Sequence, residues 1–504
     1  MKKYPLFVVL LAIYPSLALL TWNFREVDAN IVIRPFLFSI TFSFVVVAIS
    51  FLLIKSRPRA ILISTVFIFF FFTFGHFSIL FKGSAVAAAL GGLSRFMNIF
   101  LFAIASLILS FLCRAILKTK KNLFAVYQPL NIVSLFLVLS SGFTLVTGQF
   151  AGKAASTSPQ KVELEREAKG PDVYYIILDA YGRQDSLKSL GYDNSVFISE
   201  LEDIGFYIPS CSRSNYPQTV MSMASSLNMG YLWDVIPNQG PNDRNSEPVY
   251  AGILRSQVRQ EFENRGYRVV AFDAGADWLN WHDADLFVAP SPRSLFSTQL
   301  DPFEYMFLDT TALHPLMTQP FFLRKKYVHN YDRILFTLNE LPTIARAEGP
   351  KFVYVHMLIP HRPNIFMPDG SMNLNTDYYI KGVGEGINRR YDIEGYINNT
   401  KFINSRLPDL LREISRNSKT PPIIIIQADH GYQLPDIRFD ILNAYFFPDG
   451  DYSAMYPEIS PVNTFRVVFN TYFAEEYPLL KDQSINVGVN RPYGKKLMKP
   501  GECP

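Results

Sequence analysis

The sequence has little of three things: cysteine, net charge and internal repetition. Three cysteines occur in 504 residues. Cys113 lies in an apolar stretch, and Cys211 and Cys503 either pair with each other or both stay free. A net charge of +4 at pH 7 gives little reason to expect a nucleic-acid partner. No repeat of the kind that builds solenoids is present, and the chain is too long for one ordinary domain.

Hydrophobic residues, in contrast, are abundant, at 49% of the chain. The excess lies before about residue 148, in five apolar stretches that each reach the roughly 20 residues needed to cross a bilayer. These stretches run approximately over residues 5–22, 35–54, 60–81, 96–117 and 124–147. Buried core helices and a cleaved signal peptide explain five successive stretches poorly. We therefore predict a transmembrane domain of about five helices over residues 1–148.

Lysine and arginine in the short connections predict the orientation of these helices. The richer side carries Lys2, Lys3, Lys55, Arg57, Arg59, Arg114, Lys118, Lys120 and Lys121, and the other side carries Arg25, Arg34, Lys82 and Arg95. Basic loops are retained in the cytoplasm, so the chain after Thr147 is expected outside it. This predicts an integral protein of the inner (cytoplasmic) membrane with a periplasmic second domain.

The composition changes to Ser, Lys and Glu over residues 149–170, which predicts a linker. From residue 171 to 504, strand patterns alternate with helical stretches. The candidate strands are Val173–Leu178, Tyr267–Asp273, Lys351–Leu358 and the isoleucine run from Ile423. Such alternation is typical of an α/β domain with a central, mostly parallel sheet between helices.

Two of these strands end in side chains that bind metals. Asp179 follows the first strand, and Asp429 and His430 follow the isoleucine run. The carboxyl ends of parallel strands meet at one edge of a sheet. We therefore expect the three side chains to converge on one divalent ion of the zinc or manganese type.

Thr219 is predicted to be the fourth ligand and the nucleophile. Pro217 begins a stretch with helical spacing, which places Thr219 near a helix N-terminus, where an anion is favoured. A hydroxyl bound there to a metal ion would lose its proton more easily and could attack phosphorus. The structural alternative is that Thr219 is an ordinary N-cap.

A second set of residues is predicted to contact the substrate. His361, just past a strand, is placed to bind a phosphoryl oxygen or assist a leaving group. Arg362 is predicted to hold an anionic group, unless it is simply solvated, whereas His356 is expected to face inward. Tyr445 and Arg466 are expected either to shape a substrate pocket or to pack beside the site.

The order of these motifs resembles the sulfatase-like branch of the alkaline phosphatase superfamily. The motifs are Asp179, Thr219, "PHRP" at residues 360–363 and "QADHG" at residues 427–431. Together with five preceding membrane spans, they resemble the phosphoethanolamine transferases and lipoteichoic acid synthases. The resemblance covers roughly residues 171–480 and implies an alkaline-phosphatase-like fold for that part of the chain.

The resemblance also implies a mechanism. A phospholipid headgroup, phosphoethanolamine or phosphoglycerol, would move to Thr219 as a phosphothreonine and then to an envelope glycan or lipid. His361 would contact the substrate. The metal ion would be held by Asp179, Thr219, Asp429 and His430.

The sequence departs from the family patterns at two places. Sulfatases of the formylglycine type have the pattern Cys-x-Pro-x-Arg at the nucleophile. Here Cys211 is followed by "SRS", which disfavours that chemistry. The first acid is Asp179, where the membrane transferases usually have Glu. A membrane-tethered phosphate- or sulfate-ester hydrolase remains the alternative function. A degenerate, non-catalytic envelope binding protein is the third.

Overall fold

The computed structural model describes residues 4–24, 27, 29–82, 97–154, 169–237, 239–290, 300–380, 389–488 and 490–499. It divides into two compact units. One unit comprises Met1–Ala154 with Arg293–His329, and the other comprises Ala155–Pro292 with Asn330–Pro504. The domain boundaries proposed from the sequence, at residues 148 and 170, stay predictions.

Five helices of the first unit are long and apolar enough to cross a membrane, as predicted. They are α1 (Leu6–Asn23), α2 (Ile33–Leu53), α3 (Arg57–Lys82), α4 (Met97–Lys118) and α5 (Tyr127–Ala154). Large apolar side chains such as Leu52, Leu107 and Phe136 are exposed on their surface, as expected of helices that face lipid. Between α1 and α2, the hydroxyl oxygens of Ser16 and Ser39 lie 3.1 Å apart. Small polar residues commonly allow close helix packing in membranes.

From residue 169 onward, the described part of the chain alternates helices and strands. The strands are β1 (Val173–Leu178), β2 (Arg268–Phe272), β3 (Leu286–Val288), β4 (Lys351–Met357), β5 (Ile423–Gln427) and β6 (Asn443–Phe446). The helices are α6 (Gln184–Ser189), α7 (Ser195–Ile204), α8 (Thr219–Ser226), α9 (Leu232–Val235), α10 (Glu247–Leu254), α11 (Gln257–Asn264), α12 (Pro302–Asp309), α13 (His314–Met317), α14 (Pro320–Ile344), α15 (Asp377–Ile380), α16 (Arg389–Asn417) and α17 (Pro461–Tyr472).

The six strands form one sheet in the order β3-β2-β4-β1-β5-β6. Neighbouring strands are parallel except β5 and β6, which are antiparallel. The four predicted strands are confirmed: β1 has the predicted bounds, and the ends of the others differ by at most two residues. Every residue of β1, β4 and β5 is buried, so both faces of the sheet are covered, as expected for strands in the middle of an α/β domain.

The strand order decides where the loops meet. β1 lies between β4 and β5, with Leu178 opposite Met357 and Ile177 opposite Gln427. The three strands are parallel, so their carboxyl ends lie side by side at one edge of the sheet. The loops that follow them therefore open onto the same place.

Within the first unit, the segment around α12 pairs with α3 through backbone hydrogen bonds. The N–H of Gly75 donates to the carbonyl oxygen of Thr310 at 2.9 Å, and the N–H of Ala312 donates to the carbonyl oxygen of Phe71 at 2.7 Å. Phe307 of α12 also packs into an apolar cluster of this unit. A segment distant in sequence is thereby attached to the third apolar helix.

We predict that Gly75→Ala weakens this attachment. A Cβ at position 75 would lie 2.1 Å from the carbonyl oxygen of Asp309, so the two backbones must separate, at a cost of about 1–3 kcal/mol. The melting temperature in detergent should fall, and proteases should cleave the chain near α12 more readily. Gly142→Ala in α5 is the matched control, because a Cβ there meets nothing within 4 Å. Equal melting temperatures of the two variants would contradict the prediction.

Candidate functional site

Metal-capable side chains gather where β1 and β5 end. Asp179 follows β1, and Asp429 and His430 follow β5. The Nε2 atom of His430 lies 3.6 Å from Oδ1 of Asp179 and 3.5 Å from Oδ2 of Asp429. All three side chains are buried. The structure thus brings together the three side chains that the sequence analysis singled out as ligands.

Two carboxylate oxygens in this cluster are left without hydrogen bonds. In the described part of the chain, neither Oδ1 of Asp179 nor Oδ2 of Asp429 has a hydrogen-bond partner. The other oxygen of each carboxylate is engaged. The N–H of Ala180 donates to Oδ1 of Asp429 at 3.0 Å, and Nε2 of His356 lies 3.2 Å from Oδ2 of Asp179. A buried charge without a partner raises the free energy of the folded state. A cation bound between these two oxygens would offset that cost.

His430 presents a lone pair to the same place. Its Nδ1 lies 2.9 Å from the carbonyl oxygen of Gly431, a distance at which Nδ1–H donates and Nε2 is left as an acceptor. Burial lowers the pKa of His430, although the charges of Asp429 and Asp179 oppose this shift. The neutral imidazole that results is the form that binds metals.

The electrostatics of Asp179 also suit a ligand. Burial raises the pKa of this carboxyl, but the charge of His361 and a hydrogen bond from His356, the two largest opposing causes, help to hold it well below its ordinary value. Asp179 is therefore ionised. Two carboxylate oxygens and an imidazole lone pair form a donor set that fits a divalent cation such as zinc or manganese.

Thr219 is the first residue of α8, and its hydroxyl oxygen lies 3.4 Å from Nε2 of His430. The N-cap position belongs to Gln218, which makes no side-chain capping bond. The alternative reading of Thr219 as an N-cap is therefore wrong. Ser222, one turn later, donates its hydroxyl to the carbonyl oxygen of Asp429 at 2.6 Å, which fixes α8 against the end of β5.

His361 belongs to the same centre. The backbone N–H of His361 donates to the backbone carbonyl oxygen of Asp179 at 2.9 Å. This bond joins the loop after β4 to the loop after β1. Ligand-capable atoms of His361, Asp179 and His430 all lie within 4.8 Å of one another. The Nδ1 atom of His361 is 2.7 Å from the carbonyl oxygen of Arg362, so Nε2 remains for a substrate.

A cavity of 670 Å³ opens beside this centre. Its lining includes Gln218, His361, Arg362, Asp392, Tyr396, Tyr432, Arg438 and Met498. Arg362 is not a free cation, because its Nε lies 2.6 Å from Oδ1 of Asp392. Tyr432 and Gln433 also donate to Asp392. The charge that the sequence analysis assigned to an anionic substrate group is thus already matched by a carboxylate of the protein.

Among the lining residues that were not singled out from the sequence are four that carry a titratable side chain: Asp392, Tyr396, Tyr432 and Arg438. None belongs to a motif or ends a predicted strand. The only sequence signal for two of them is closeness to His430 along the chain. His356, predicted to face inward, is buried and lies within hydrogen-bond distance of Asp179.

Tyr445 and Arg466 do not line the cavity. Tyr445 lies in β6 and is fully buried, with its hydroxyl 2.8 Å from the hydroxyl oxygen of Thr464. Arg466 donates to the carbonyl oxygens of Met229 and Pro478. Their contacts in the structure match the packing alternative, and a role for them in a substrate pocket stays a prediction.

Cys211 is disulfide-bonded, and Cys503 lies outside the described residues. A bonded cysteine cannot act as a thiolate nucleophile. This agrees with the expectation that Thr219, and not Cys211, is the nucleophile.

No protein-family model matches the chain, and no curated protein matches it significantly. Several solved structures are similar to it. The zinc complex of the C-terminal periplasmic domain of EptC from Escherichia coli is 12% identical, with a TM-score of 0.42 over 66% of this chain and 94% of that one. The lipooligosaccharide phosphoethanolamine transferase EptA from Neisseria meningitidis is 11% identical, with a TM-score of 0.40 over 93% of this chain and 95% of that one.

A 2-O GAG sulfatase is also similar, at 11% identity and a TM-score of 0.38, over 65% of this chain and 75% of that one. The matches thus include phosphoethanolamine transferases and sulfatases, the classes that the sequence motifs resemble. At such low identities and TM-scores they carry no argument about chemistry, which depends on the residues of the site.

We predict that Asp429→Asn lowers metal occupancy, because the change removes a carboxylate that would hold the ion and offset its charge. Elemental analysis of the full chain, purified in detergent without added chelator, measures the effect. Asp392→Asn is the matched control, since Asp392 is buried in the same cavity but pairs with Arg362. Full occupancy in Asp429→Asn would refute the ligand assignment.

Proposed function

We propose that this protein is a metal-dependent phosphoryl-group transferase of the membrane. The observation that carries the proposal is the hydroxyl of Thr219 at the start of α8, 3.4 Å from the imidazole of His430. That imidazole faces two buried carboxylate oxygens without hydrogen-bond partners in the described chain. A hydroxyl beside a divalent-cation site is the arrangement that nucleophilic attack on phosphorus needs.

The residues that would hold the ion are Asp179, Thr219, Asp429 and His430. A bound divalent cation would lower the pKa of the Thr219 hydroxyl and offset the charge of the phosphoryl group. His356 contributes indirectly, because its position beside Asp179 orients that carboxylate.

In the proposed first step, Oγ1 of Thr219 attacks phosphorus and releases its proton to solvent. The bond from phosphorus to the departing alcohol oxygen breaks, and this oxygen takes a proton from Nε2 of His361. In the second step, the hydroxyl oxygen of an acceptor attacks phosphorus and gives its proton to Nε2 of His361, the bond from phosphorus to Oγ1 of Thr219 breaks, and Oγ1 takes up a proton from solvent. The N–H groups at the start of α8 face the anionic group during both steps.

The five apolar helices support a phospholipid as the donor, because a lipid headgroup must be met at the membrane in which it lies. The headgroup would be phosphoethanolamine or phosphoglycerol, and the acceptor an envelope glycan or lipid. A cavity of 670 Å³ is in the range of sites that hold small molecules, and it suits a headgroup rather than a whole lipid. The basic loops favour an inner-membrane protein with its catalytic part in the periplasm.

We predict that Thr219→Ala abolishes a covalent adduct that the wild-type chain forms with phospholipid. The full chain is incubated with vesicles of phosphatidylethanolamine or phosphatidylglycerol, and its intact mass is measured. The mass gain identifies the headgroup. Turnover should fall by orders of magnitude, because the two-step path is lost, whereas the loss of an N-terminal helix contact alone would cost only about 1 kcal/mol of stability.

Two further variants sharpen this test. Thr219→Ser keeps a hydroxyl and should still form an adduct. Ser225→Ala removes a buried hydroxyl from the same helix, one that donates to the carbonyl oxygen of Gly230, and it should leave the adduct intact. An adduct on Thr219→Ala would exclude Thr219 as the nucleophile. Release of free phosphate ester without transfer would favour the hydrolase instead.

We predict that a reporter fused after Gly170 reports a location outside the cytoplasm. The motivation is the excess of lysine and arginine on one side of the five apolar helices. A fluorescent reporter that matures only in the cytoplasm should stay dark at this position and light up when fused after Lys121. The reverse pattern would place the site in the cytoplasm and rule out a donor in the outer leaflet.

A further inference from the structure

Arg438 differs from the other arginine of the cavity in how its charge is matched. Arg362 is paired with Asp392 at 2.6 Å. Arg438 also lines the cavity, but within the described residues it forms no ion pair. Its guanidinium instead donates to two backbone carbonyl oxygens, those of Pro217 at 2.7 Å and Gly431 at 3.3 Å. The carboxylates of Asp429 and Asp179 act on it electrostatically, but the half-buried guanidinium itself is held by neutral acceptors and stays charged.

The two carbonyls place this guanidinium with respect to the site. Pro217 lies two residues before Thr219, and Gly431 directly follows His430. Arg438 thus connects the loop that precedes the nucleophile to the loop that carries a metal ligand. The bonds use Nε and Nη1, so the guanidinium is fixed in orientation, and Nη2 donates no hydrogen bond within the described chain. An oriented donor of this kind needs no rearrangement when an anion arrives.

The charges around the cavity indicate what kind of ligand would complete it. Two carboxylates, those of Asp179 and Asp429, would be balanced by one divalent cation. Arg362 and Asp392 balance each other. The charge of Arg438 is left over. The cavity with its ion therefore carries one uncompensated positive charge next to the Thr219 hydroxyl, which suits an oxyanion.

We propose that Arg438 binds a non-bridging oxygen of the phosphoryl group that Thr219 attacks. The inference rests on the proposed function for the identity of the group, but the anion site itself is a matter of equilibrium binding. Arg438 also has a purely structural alternative, in which it only joins two loops through their carbonyls. The experiment must therefore separate binding of an anion from support of the fold.

The probe is inorganic phosphate, titrated by calorimetry into the metal-loaded full chain in detergent. Arg438→Gln should weaken phosphate binding at least tenfold, with metal content unchanged. Arg438→Lys keeps a positive charge and should recover most of the affinity. Arg466→Gln is the matched control, because Arg466 also joins two backbone carbonyls, those of Met229 and Pro478, but lies outside the cavity lining. Its phosphate affinity should equal that of the wild-type chain.

A second measurement uses the wild-type chain, so that it does not depend on how well a variant folds. Phenylglyoxal modifies accessible arginines, and peptide mass analysis locates the modification. Phosphate should protect Arg438 several-fold in the metal-loaded protein and should leave the modification of Arg466 unchanged. Phosphate affinity in Arg438→Gln within twofold of wild type, or no protection of Arg438, would overturn the inference.

The outcome is separable from that of the proposed function. A chain that binds phosphate through Arg438 but forms no adduct on Thr219 would keep the anion site and lose the transferase. A chain that forms the adduct equally well after Arg438→Gln, with unchanged phosphate affinity, would keep the transferase and lose the role of Arg438.

Discussion

Two buried carboxylates that face the same imidazole are the constraint on which the rest of the site depends. Asp179 and Asp429 are almost fully buried, and ionised groups at such positions repel each other unless a cation lies between them. Their outward oxygens are held by a backbone N–H and a histidine. Only the inward oxygens lack partners in the described chain. The fold thus orients these two carboxylates in advance, which costs folding energy and would lower the cost of binding a cation there.

The strand order of the sheet brings these side chains to the same edge. β1 lies between β4 and β5, and each of these strands is buried along its whole length, so the polar residues that follow them have only the sheet edge in which to lie. The loop after β1 is further fixed by Ala180. This residue has a positive φ of 64°, which is uncommon for a residue with a Cβ, and its N–H donates to Asp429. Strain of this kind persists only where surrounding bonds enforce it. The hydroxyl of Tyr396, which donates to the carbonyl oxygen of Ala180, is one of them.

The sequence predicts the parts of this site that follow from pattern. An apolar run that ends in Asp-His identifies both a strand and its carboxyl end, which is enough to place Asp429 and His430. The position of Tyr445 could not be obtained in this way. In a strand, successive residues face opposite sides of the sheet, and the letters around β6 do not show that Tyr445 is buried. The contacts of Arg466 could not be predicted for a different reason, because its carbonyl partners are distant in sequence. The role of Asp392 could not be predicted from the sequence either, since its pairing with Arg362 spans 30 residues.

This pairing changes how the two arginines of the cavity should be interpreted. From sequence, Arg362 stands next to His361 and is the predicted anion binder, whereas Arg438 lies in a stretch without any recognisable pattern. In the fold, Asp392 forms an ion pair with Arg362. Asp392 also accepts hydrogen bonds from the hydroxyl of Tyr432 and the amide of Gln433. A charge next to His361 along the chain is therefore a weaker guide than a charge left without an ion-pair partner after folding. By that criterion the cationic group of this cavity is Arg438, whereas Arg362 is paired with Asp392 in the cavity lining.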